Sequence, residues 1–199
     1  MGSKFTLIFE NAVAVIIAGG KSSRMQTDKA LLPFGGYPSL AEYQYQRLSK
    51  IFSKVYISAK KNKFDFEVEV IKDAYIVSSP LVALVSIFES LDCDEIFILS
   101  VDAPFVSESL IVKLYKRASV NSDIVVATSK QGIEPLCAIY RRSFLKYAKK
   151  SLAEDKHRLQ SLFEHLNVEK VLIEEEGYFT NLNYLEDYEK AKLRQEGES

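Results

Sequence analysis

A glycine pair followed by hydroxyl and basic side chains stands near the amino terminus. The apolar segment Ala12 to Ile17 leads directly into Ala18-Gly19-Gly20-Lys21-Ser22-Ser23-Arg24, and Lys29 follows a few residues later. Glycines let a backbone approach a ligand closely and turn its N–H groups toward an anion. Arg24 can donate to two phosphate oxygens at once, whereas Lys29 supplies a point charge. These residue types in this order indicate a phosphate-binding loop.

Two common phosphate-binding fingerprints do not account for this loop. A Walker loop would need a glycine where Val15 stands, inside the apolar segment, and the dinucleotide pattern G-x-G-x-x-G is absent. A glycine turn with exposed basic residues stays the alternative interpretation.

A second polar group follows another apolar segment. Glu95 to Ser100 continues into Val101-Asp102-Ala103-Pro104. In an open parallel sheet, ligands bind beyond the carboxyl ends of the strands, so we expect Asp102 on the same edge as the glycine loop. A hard cation needs oxygen ligands at such a place, although an aspartate here can also simply form a turn. We predict that Asp102 binds a metal ion.

The cysteines and histidines of the chain do not favour a zinc site. Cys93 and Cys137 have no Cys-x-x-Cys spacing, and His157 and His165 are isolated. Any metal is therefore expected on carboxylate and phosphate oxygens, which favours Mg²⁺. We interpret the two cysteines as small apolar residues of a cytoplasmic protein.

The elements around these groups predict an α/β fold. Val- and Ile-rich runs alternate with segments of helical period, so we predict a three-layer, Rossmann-like fold with a mostly parallel central sheet, as a single domain over residues 1–199. The predicted strands are 12–17, 54–58, 67–72, 95–100, 123–127, 136–140 and 169–173. Helices are predicted after caps at Ser39, Ser79 and Ser107, at 144–151 and 159–165, and over 186–196.

Composition excludes two classes of partner. The chain has 26 basic and 27 acidic residues and a net charge of −1, so no polybasic field predicts nucleic-acid binding. No apolar run is long enough to predict a membrane span.

Motifs along nearly the whole chain resemble a known family. Ile17-Ala18-Gly19-Gly20, Ser22, Arg24-Met25 and Asp28 to Leu32 are similar to the signature of molybdenum cofactor guanylyltransferases, the MobA family. Further segments fit in order: Asp73 with Ser79-Pro80-Leu81, Val101 to Phe105, and Phe179 to Asn183.

The resemblance implies a fold like that of nucleotide-diphospho-sugar transferases and transfer of GMP from GTP to molybdopterin, with release of pyrophosphate. It also implies Mg²⁺ and transient protein partners of molybdenum cofactor assembly. Arg24, Lys29 and Asp102 would be catalytic, with the metal on Asp102. The implied nucleotide contacts are Ile17, Ala18, Gly19, Gly20, Lys29, Asp73, Asp102 and Asn183.

Three sets of residues farther along the chain have a purely structural interpretation as well as a functional one. Asp73 would lie near the nucleoside and could accept from the N–H groups of guanine, or it could form a turn. Asn183 would border the metal and the pterin phosphate, but Asn181 and Asn183 could instead cap the last helix. Pro135-Leu136 would line the acceptor side, or the proline could open a strand.

The chain departs from the family pattern at three points. Gln26 stands where the family has glycine, Ser79 to Ala83 replaces a glycine-rich segment that holds the base, and Asn183-Tyr184-Leu185 replaces Asn-Thr-Pro. Two other functions share the glycine loop: nucleotide transfer to another acceptor or from another nucleotide, such as molybdopterin cytidylyltransferase or a sugar-phosphate nucleotidyltransferase, and nucleotide binding without catalysis.

Overall fold

A computed structural model describes residues 8–19, 28–75, 77–175, 177–180, 182 and 184–197. Its strands are β1 (Phe9–Ile17), β2 (Phe52–Ala59), β3 (Val70–Lys72), β4 (Glu95–Ser100), β5 (Ile124–Ser129), β6 (Gly132–Arg141) and β7 (Val168–Leu172). Its α-helices are α1 (Leu40–Leu48), α2 (Pro80–Ser90), α3 (Glu108–Arg117), α4 (Phe144–Ala153) and α5 (Leu185–Gly197). Two 3₁₀-helices cover Lys29–Leu31 and Leu159–His165.

The strands form one sheet in the order β3-β2-β1-β4-β6-β5-β7. Every neighbouring pair is parallel except the two pairs that β6 makes with β4 and β5. The predicted mostly parallel sheet is therefore confirmed. Because β6 runs the opposite way, its amino-terminal half reaches the edge where β1 and β4 end.

Helices cover both faces of the sheet, as predicted. Side chains alternate along a strand, so Ala14 and Ile16 of β1 pack into one core while Val15 and Ile17 pack into the other. Helices α1, α3 and α5 contribute to the first core, and α2, α4 and the 3₁₀-helix Leu159–His165 contribute to the second. The result is the three-layer arrangement expected from the alternating pattern.

Three predicted helix caps are present. The Oγ atoms of Ser39, Ser79 and Ser107 accept hydrogen bonds from backbone N–H groups three residues later, at 3.1, 3.2 and 3.2 Å. Each such cap typically stabilises a protein by about 1 kcal/mol.

Three predictions need correction. The predicted strand 67–72 is only Val70–Lys72, because this edge strand pairs on one side alone and its register with β2 begins at Val70. The predicted helix 159–165 is a 3₁₀-helix without a side-chain cap at Arg158. Pro135 does not open a strand, because β6 begins at Gly132 and Pro135 lies where its register with β5 shifts.

Both cysteines are free thiols; Cys137 is buried and Cys93 is partly exposed. None of the helices in the described part of the chain has the length and apolar content that crossing a membrane requires.

Candidate active site

The predicted phosphate loop leaves the sheet between two strands that flank β1. The backbone N–H of Ala18 donates to Ser58 O of β2 at 2.9 Å, and the N–H of Val101, after β4, donates to Ile17 O at 3.0 Å. The side chain of Ile17 lies in the core and Ala18 is buried, so any ligand contact they make would use backbone atoms. Gly20 and Arg24 lie outside the described residues.

Gly19 is exposed and has no positive φ. Among the described residues, a Cβ atom built on it would meet only Asp73 Oδ2, at an ordinary distance of 3.9 Å. That part of the fold would therefore accept a side chain here. A glycine at such a position is explained best by a ligand that must approach the backbone closely.

Lys29 and Asp102 lie in contact. Lys29 Nζ donates to Asp102 Oδ2 at 3.2 Å, and the two side chains are 16% and 21% exposed. Ser100 Oγ donates to the other oxygen, Asp102 Oδ1, at 2.5 Å. We expected Lys29 to be an exposed loop cation, but it is mostly buried, because the 3₁₀-helix turns it back onto the sheet edge. The structure thus brings two of the predicted catalytic side chains, Lys29 and Asp102, into contact.

Asp28 and Lys63 hold the described ends of the loop. Asp28 Oδ1 accepts from Ala30 N at 3.2 Å and so caps the 3₁₀-helix. Its other oxygen pairs with Lys63 Nζ, which also donates to Ala18 O at 3.1 Å. Lys63 thereby links residue 18 to residue 28. Sequence reasoning missed it, because nothing distinguishes it from its neighbours Lys60 and Lys61.

A buried polar pair on α1 supports the segment that carries Asp102. Gln44 Nε2 donates to Val101 O at 3.4 Å, and Arg47 Nη2 donates to Gln44 Oε1 at 2.7 Å. Arg47 Nη1 also donates to Val106 O at 2.6 Å. Burial lowers the pKa of Arg47. The sequence did contain a signal that Gln44 is buried, because Gln44 falls in helical register with the core residues Leu40, Ala41 and Leu48.

Asp73 lies on the other side of the loop. It follows β3, and Ser58 Oγ donates to its Oδ1 at 3.5 Å. Burial is the main cause that raises the pKa of Asp73, while the hydrogen bond from Ser58 acts in the opposite direction. Since β2 and β1 separate β3 from β4, the ends of the strands that precede Asp73 and Asp102 are about 14 Å apart at ordinary strand spacing. That span suits an extended nucleotide lying across the ends of the strands.

A cavity of about 210 Å³ opens beside Asp102. Its lining consists of Ser100, Asp102, Ala103, Glu134, Pro135, Leu136, Cys137 and Phe179. The structure therefore places Pro135-Leu136 next to the proposed metal ligand, as expected for an acceptor side. Asn183, the remaining predicted residue, lies outside the described residues, as does Asn181.

Glu134 in this cavity was not predicted. Ser129 Oγ donates to its Oε1 at 3.1 Å. Burial is the main cause that raises the pKa of Glu134; the bond from Ser129 lowers it, and the charge of Asp102 raises it further. Glu134 precedes the Pro135-Leu136 pair by one residue, but only the tertiary structure shows that it faces Asp102.

The donor set at Asp102 suits Mg²⁺. A carboxylate offers about four acceptor positions, of which Ser100 and Lys29 occupy two. Within the described ranges, no three His, Cys, Asp or Glu side chains form a metal cluster. Mg²⁺ commonly uses one or two carboxylates together with substrate phosphates and water, so a single aspartate here is a sufficient protein contribution.

Comparison with known proteins adds a sequence family to this geometry. The family described as "MobA-like NTP transferase domain" matches residues 14–171. A Campylobacter jejuni protein named molybdenum cofactor guanylyltransferase is 38% identical over 180 residues, which are 89% of this chain and 94% of that one. A Helicobacter pylori protein of the same name is 35% identical over 189 residues, 92% of this chain and 93% of that one.

A solved structure agrees on the fold. Molybdopterin-guanine dinucleotide biosynthesis protein A from Archaeoglobus fulgidus superposes with a TM-score of 0.80 over 93% of this chain and 99% of that one. The two sequences are 18% identical, so this likeness concerns the arrangement of the sheet and its helices.

Proposed function

The chain belongs to the MobA-like NTP transferase family, and we propose that it transfers GMP from GTP to molybdopterin, forming molybdopterin guanine dinucleotide and pyrophosphate. The names of relatives at 35–38% identity support this substrate pair. The observation that carries the proposal is the contact of Lys29 with Asp102, which joins the phosphate loop to the expected metal ligand.

The reaction needs no side chain as nucleophile. A terminal phosphate oxygen of molybdopterin attacks the α-phosphorus of GTP, a new P–O bond forms, and the bond to the β-phosphate oxygen breaks. Pyrophosphate leaves with the electron pair of that bond. Such a displacement depends mainly on holding the two phosphates in line and neutralising their charge.

The loop residues would hold the triphosphate. The backbone at Gly19 and Gly20, with the cations Arg24 and Lys29, would contact its oxygens and stabilise the charge that develops on the leaving pyrophosphate. Lys29 is positioned for this by the 3₁₀-helix, whose cap is Asp28. Lys63 keeps the loop ends in place without needing to touch the substrate.

Asp102 would hold Mg²⁺, and by resemblance Asn183 would border the metal and the pterin phosphate. When bound, Mg²⁺ neutralises charge on phosphate oxygens and so favours displacement at the α-phosphorus. Asp73, at the far side of the loop, would accept hydrogen bonds from the N1–H and the 2-amino group of guanine, a donor pair that adenine lacks.

The test is an assay of the purified chain with molybdopterin and each of GTP, CTP, ATP and UTP, with and without Mg²⁺. We expect pyrophosphate and a molybdopterin guanine dinucleotide from GTP only, and only with the metal. A product from CTP would indicate a molybdopterin cytidylyltransferase. Nucleotide binding, measured by thermal shift, without any product would indicate a binding module and would contradict the proposal.

We place this reaction in the cytoplasm. The free thiols of Cys93 and Cys137 suit a reducing compartment. Protein partners of molybdenum cofactor assembly would receive the product there.

A further inference from the structure

Glu134 has a carboxylate that the steps above leave unused. It is partly buried in the cavity beside Asp102, and Ser129 Oγ donates to only one of its oxygens. In the described part of the chain, no Lys, Arg or His forms an ion pair with it. Burying a carboxylate beside another carboxylate, without a cation, costs free energy. Such a cost is usual where the group serves a ligand.

The backbone holds Glu134 in this position by an irregularity of the sheet. Along the β5–β6 hairpin, Val126 pairs with Ala138, but the next residue, Ala127, pairs with Glu134. The intervening residues of β6 therefore bulge, and bulges commonly redirect side chains beside active sites. The buried Tyr140 stabilises the bulge, because its Oη donates to Pro135 O at 2.8 Å.

The reaction limits what Glu134 can face. The attacking phosphate oxygen needs no general base, and a second carboxylate beside that phosphate would repel it. Asp102 already serves the phosphate end of the cavity. A carboxylate in the rest of the cavity therefore suits a ligand that offers hydrogen-bond donors, N–H or O–H.

The walls of the cavity suit a flat ring. Pro135, Leu136 and Phe179 give apolar and aromatic surface, and Glu134 supplies the charged group among them. Apolar walls with few polar groups are typical of pockets that bind heterocycles. A pterin carries a 2-amino-4-oxopyrimidine edge, where an N–H and an NH₂ group point the same way and match the two oxygens of a carboxylate.

We propose that Glu134 accepts hydrogen bonds from the aminopyrimidinone edge of the acceptor and thereby selects a pterin. This assignment rests on the proposed function, because it takes molybdopterin as the acceptor. Ser129 Oγ occupies one acceptor position of Oε1 and so orients the carboxylate. The second position on Oε1 and those on Oε2 can accept from the N–H and NH₂ groups of the ring. Glu134 thus determines specificity for the acceptor, while Asp73 acts on the nucleotide.

The test compares Glu134→Gln with wild type and with Glu164→Gln, an exposed carboxylate on the 3₁₀-helix Leu159–His165. The amide keeps the size of the side chain but replaces one acceptor by a donor. We expect the KM for molybdopterin to rise about tenfold or more in Glu134→Gln, which is the effect of losing a charge-assisted hydrogen bond. The KM for GTP and the Mg²⁺ concentration at half-maximal rate should stay unchanged, and Glu164→Gln should behave as wild type.

A second measurement uses 6-hydroxymethylpterin, which lacks the phosphate and so reports on the ring site alone. Its inhibition constant against molybdopterin should rise in Glu134→Gln by a factor similar to the rise in KM. An unchanged KM for molybdopterin would overturn the assignment, and a shifted Mg²⁺ dependence would make Glu134 a metal ligand instead. If wild type makes no dinucleotide from GTP and molybdopterin, the proposed function itself fails, and the assignment fails with it.

Discussion

Lys29 Nζ lies 3.2 Å from Asp102 Oδ2, although the two residues are 73 positions apart in the chain. The contact joins the 3₁₀-helix after the glycine loop to the end of β4. Because both side chains are mostly buried, neither can change without altering the charge that its partner meets. Variants at the two positions should therefore be coupled energetically, as contacting residues usually are.

Lys29→Ala should lower kcat/KM for GTP. Losing one charge-assisted phosphate contact costs about 1.5–3 kcal/mol, which corresponds to roughly a 10- to 150-fold fall. The measurement is steady-state pyrophosphate release over a range of GTP concentrations, with Lys50→Ala, at an exposed turn residue just after α1, as the control. We expect the same of Arg24→Ala. Unchanged kinetics in both loop variants would remove the phosphate-binding assignment.

Asp102→Asn should lower turnover at least about a hundredfold, since a metal typically contributes several kcal/mol to the transition state. The amide keeps the size of the side chain and can still accept from Ser100, so the melting temperature should change little. The decisive assay is a Mg²⁺ titration of pyrophosphate release with GTP and molybdopterin. Asp92→Asn, on the exposed loop before β4, is the control. Equal rates with equal Mg²⁺ dependence would return Asp102 to a purely turn-forming role.

Asp73→Asn should weaken the preference for GTP over ATP. An amide offers one acceptor where the carboxylate offers two, so one of the two guanine N–H groups loses its partner. The measurement is the ratio of kcat/KM for GTP to that for ATP, with the exposed Asp65→Asn as the control. If the ratio survives, backbone groups must recognise the base.

Lys63→Met should impair GTP use although Lys63 is not proposed to touch the nucleotide. The variant removes the bonds to Ala18 O and Asp28 that hold the two described ends of the loop. A lost hydrogen bond contributes about 0.5–1.5 kcal/mol, so kcat/KM for GTP should fall roughly 2- to 10-fold. Lys61→Met, two residues away and exposed, tests whether charge alone matters. Similar losses in both variants would contradict the linking role of Lys63.

Gln44→Leu should lower the free energy of unfolding by about 1–3 kcal/mol, because it leaves Val101 O and one Arg47 nitrogen without their partner. Urea denaturation followed by circular dichroism measures this change. Gln46→Leu, on the same helix but less buried, should cost less. Equal midpoints for the two variants would show that the Gln44 contacts do not support the Asp102 segment.

Local signals predicted the parts of the fold that local interactions form. The bounds of β4 agree with the apolar run 95–100, and Ser39, Ser79 and Ser107 cap their helices, because a cap needs only a side chain and the next turn of backbone. The alternating pattern also predicted the three layers.

What the sequence did not reveal depends on contacts between distant segments. An apolar run does not encode the direction of its strand, so the reversal of β6 was not predicted. Nothing in the local sequence marks Lys63 or Glu134, since Lys63 donates to Ala18 O and Glu134 faces Asp102, and both of these lie in other segments. At the edge of the sheet, β3 is shorter than its apolar pattern because it has only one neighbour.

Because β6 is reversed, one wall of the cavity beside Asp102 is formed largely by a single short hairpin. The proposed triphosphate side is assembled from segments that follow three different strands, at Gly19, Lys63 and Asp102, and the bonds of Lys63 and Lys29 connect these segments. By contrast, most of the opposite wall of the cavity comes from one continuous hairpin, residues 129–137. Substitutions at Glu134, Pro135 or Leu136 would therefore change this wall without replacing Gly19, Lys63 or Asp102. A change of acceptor specificity would therefore require substitutions in only a short segment of the chain.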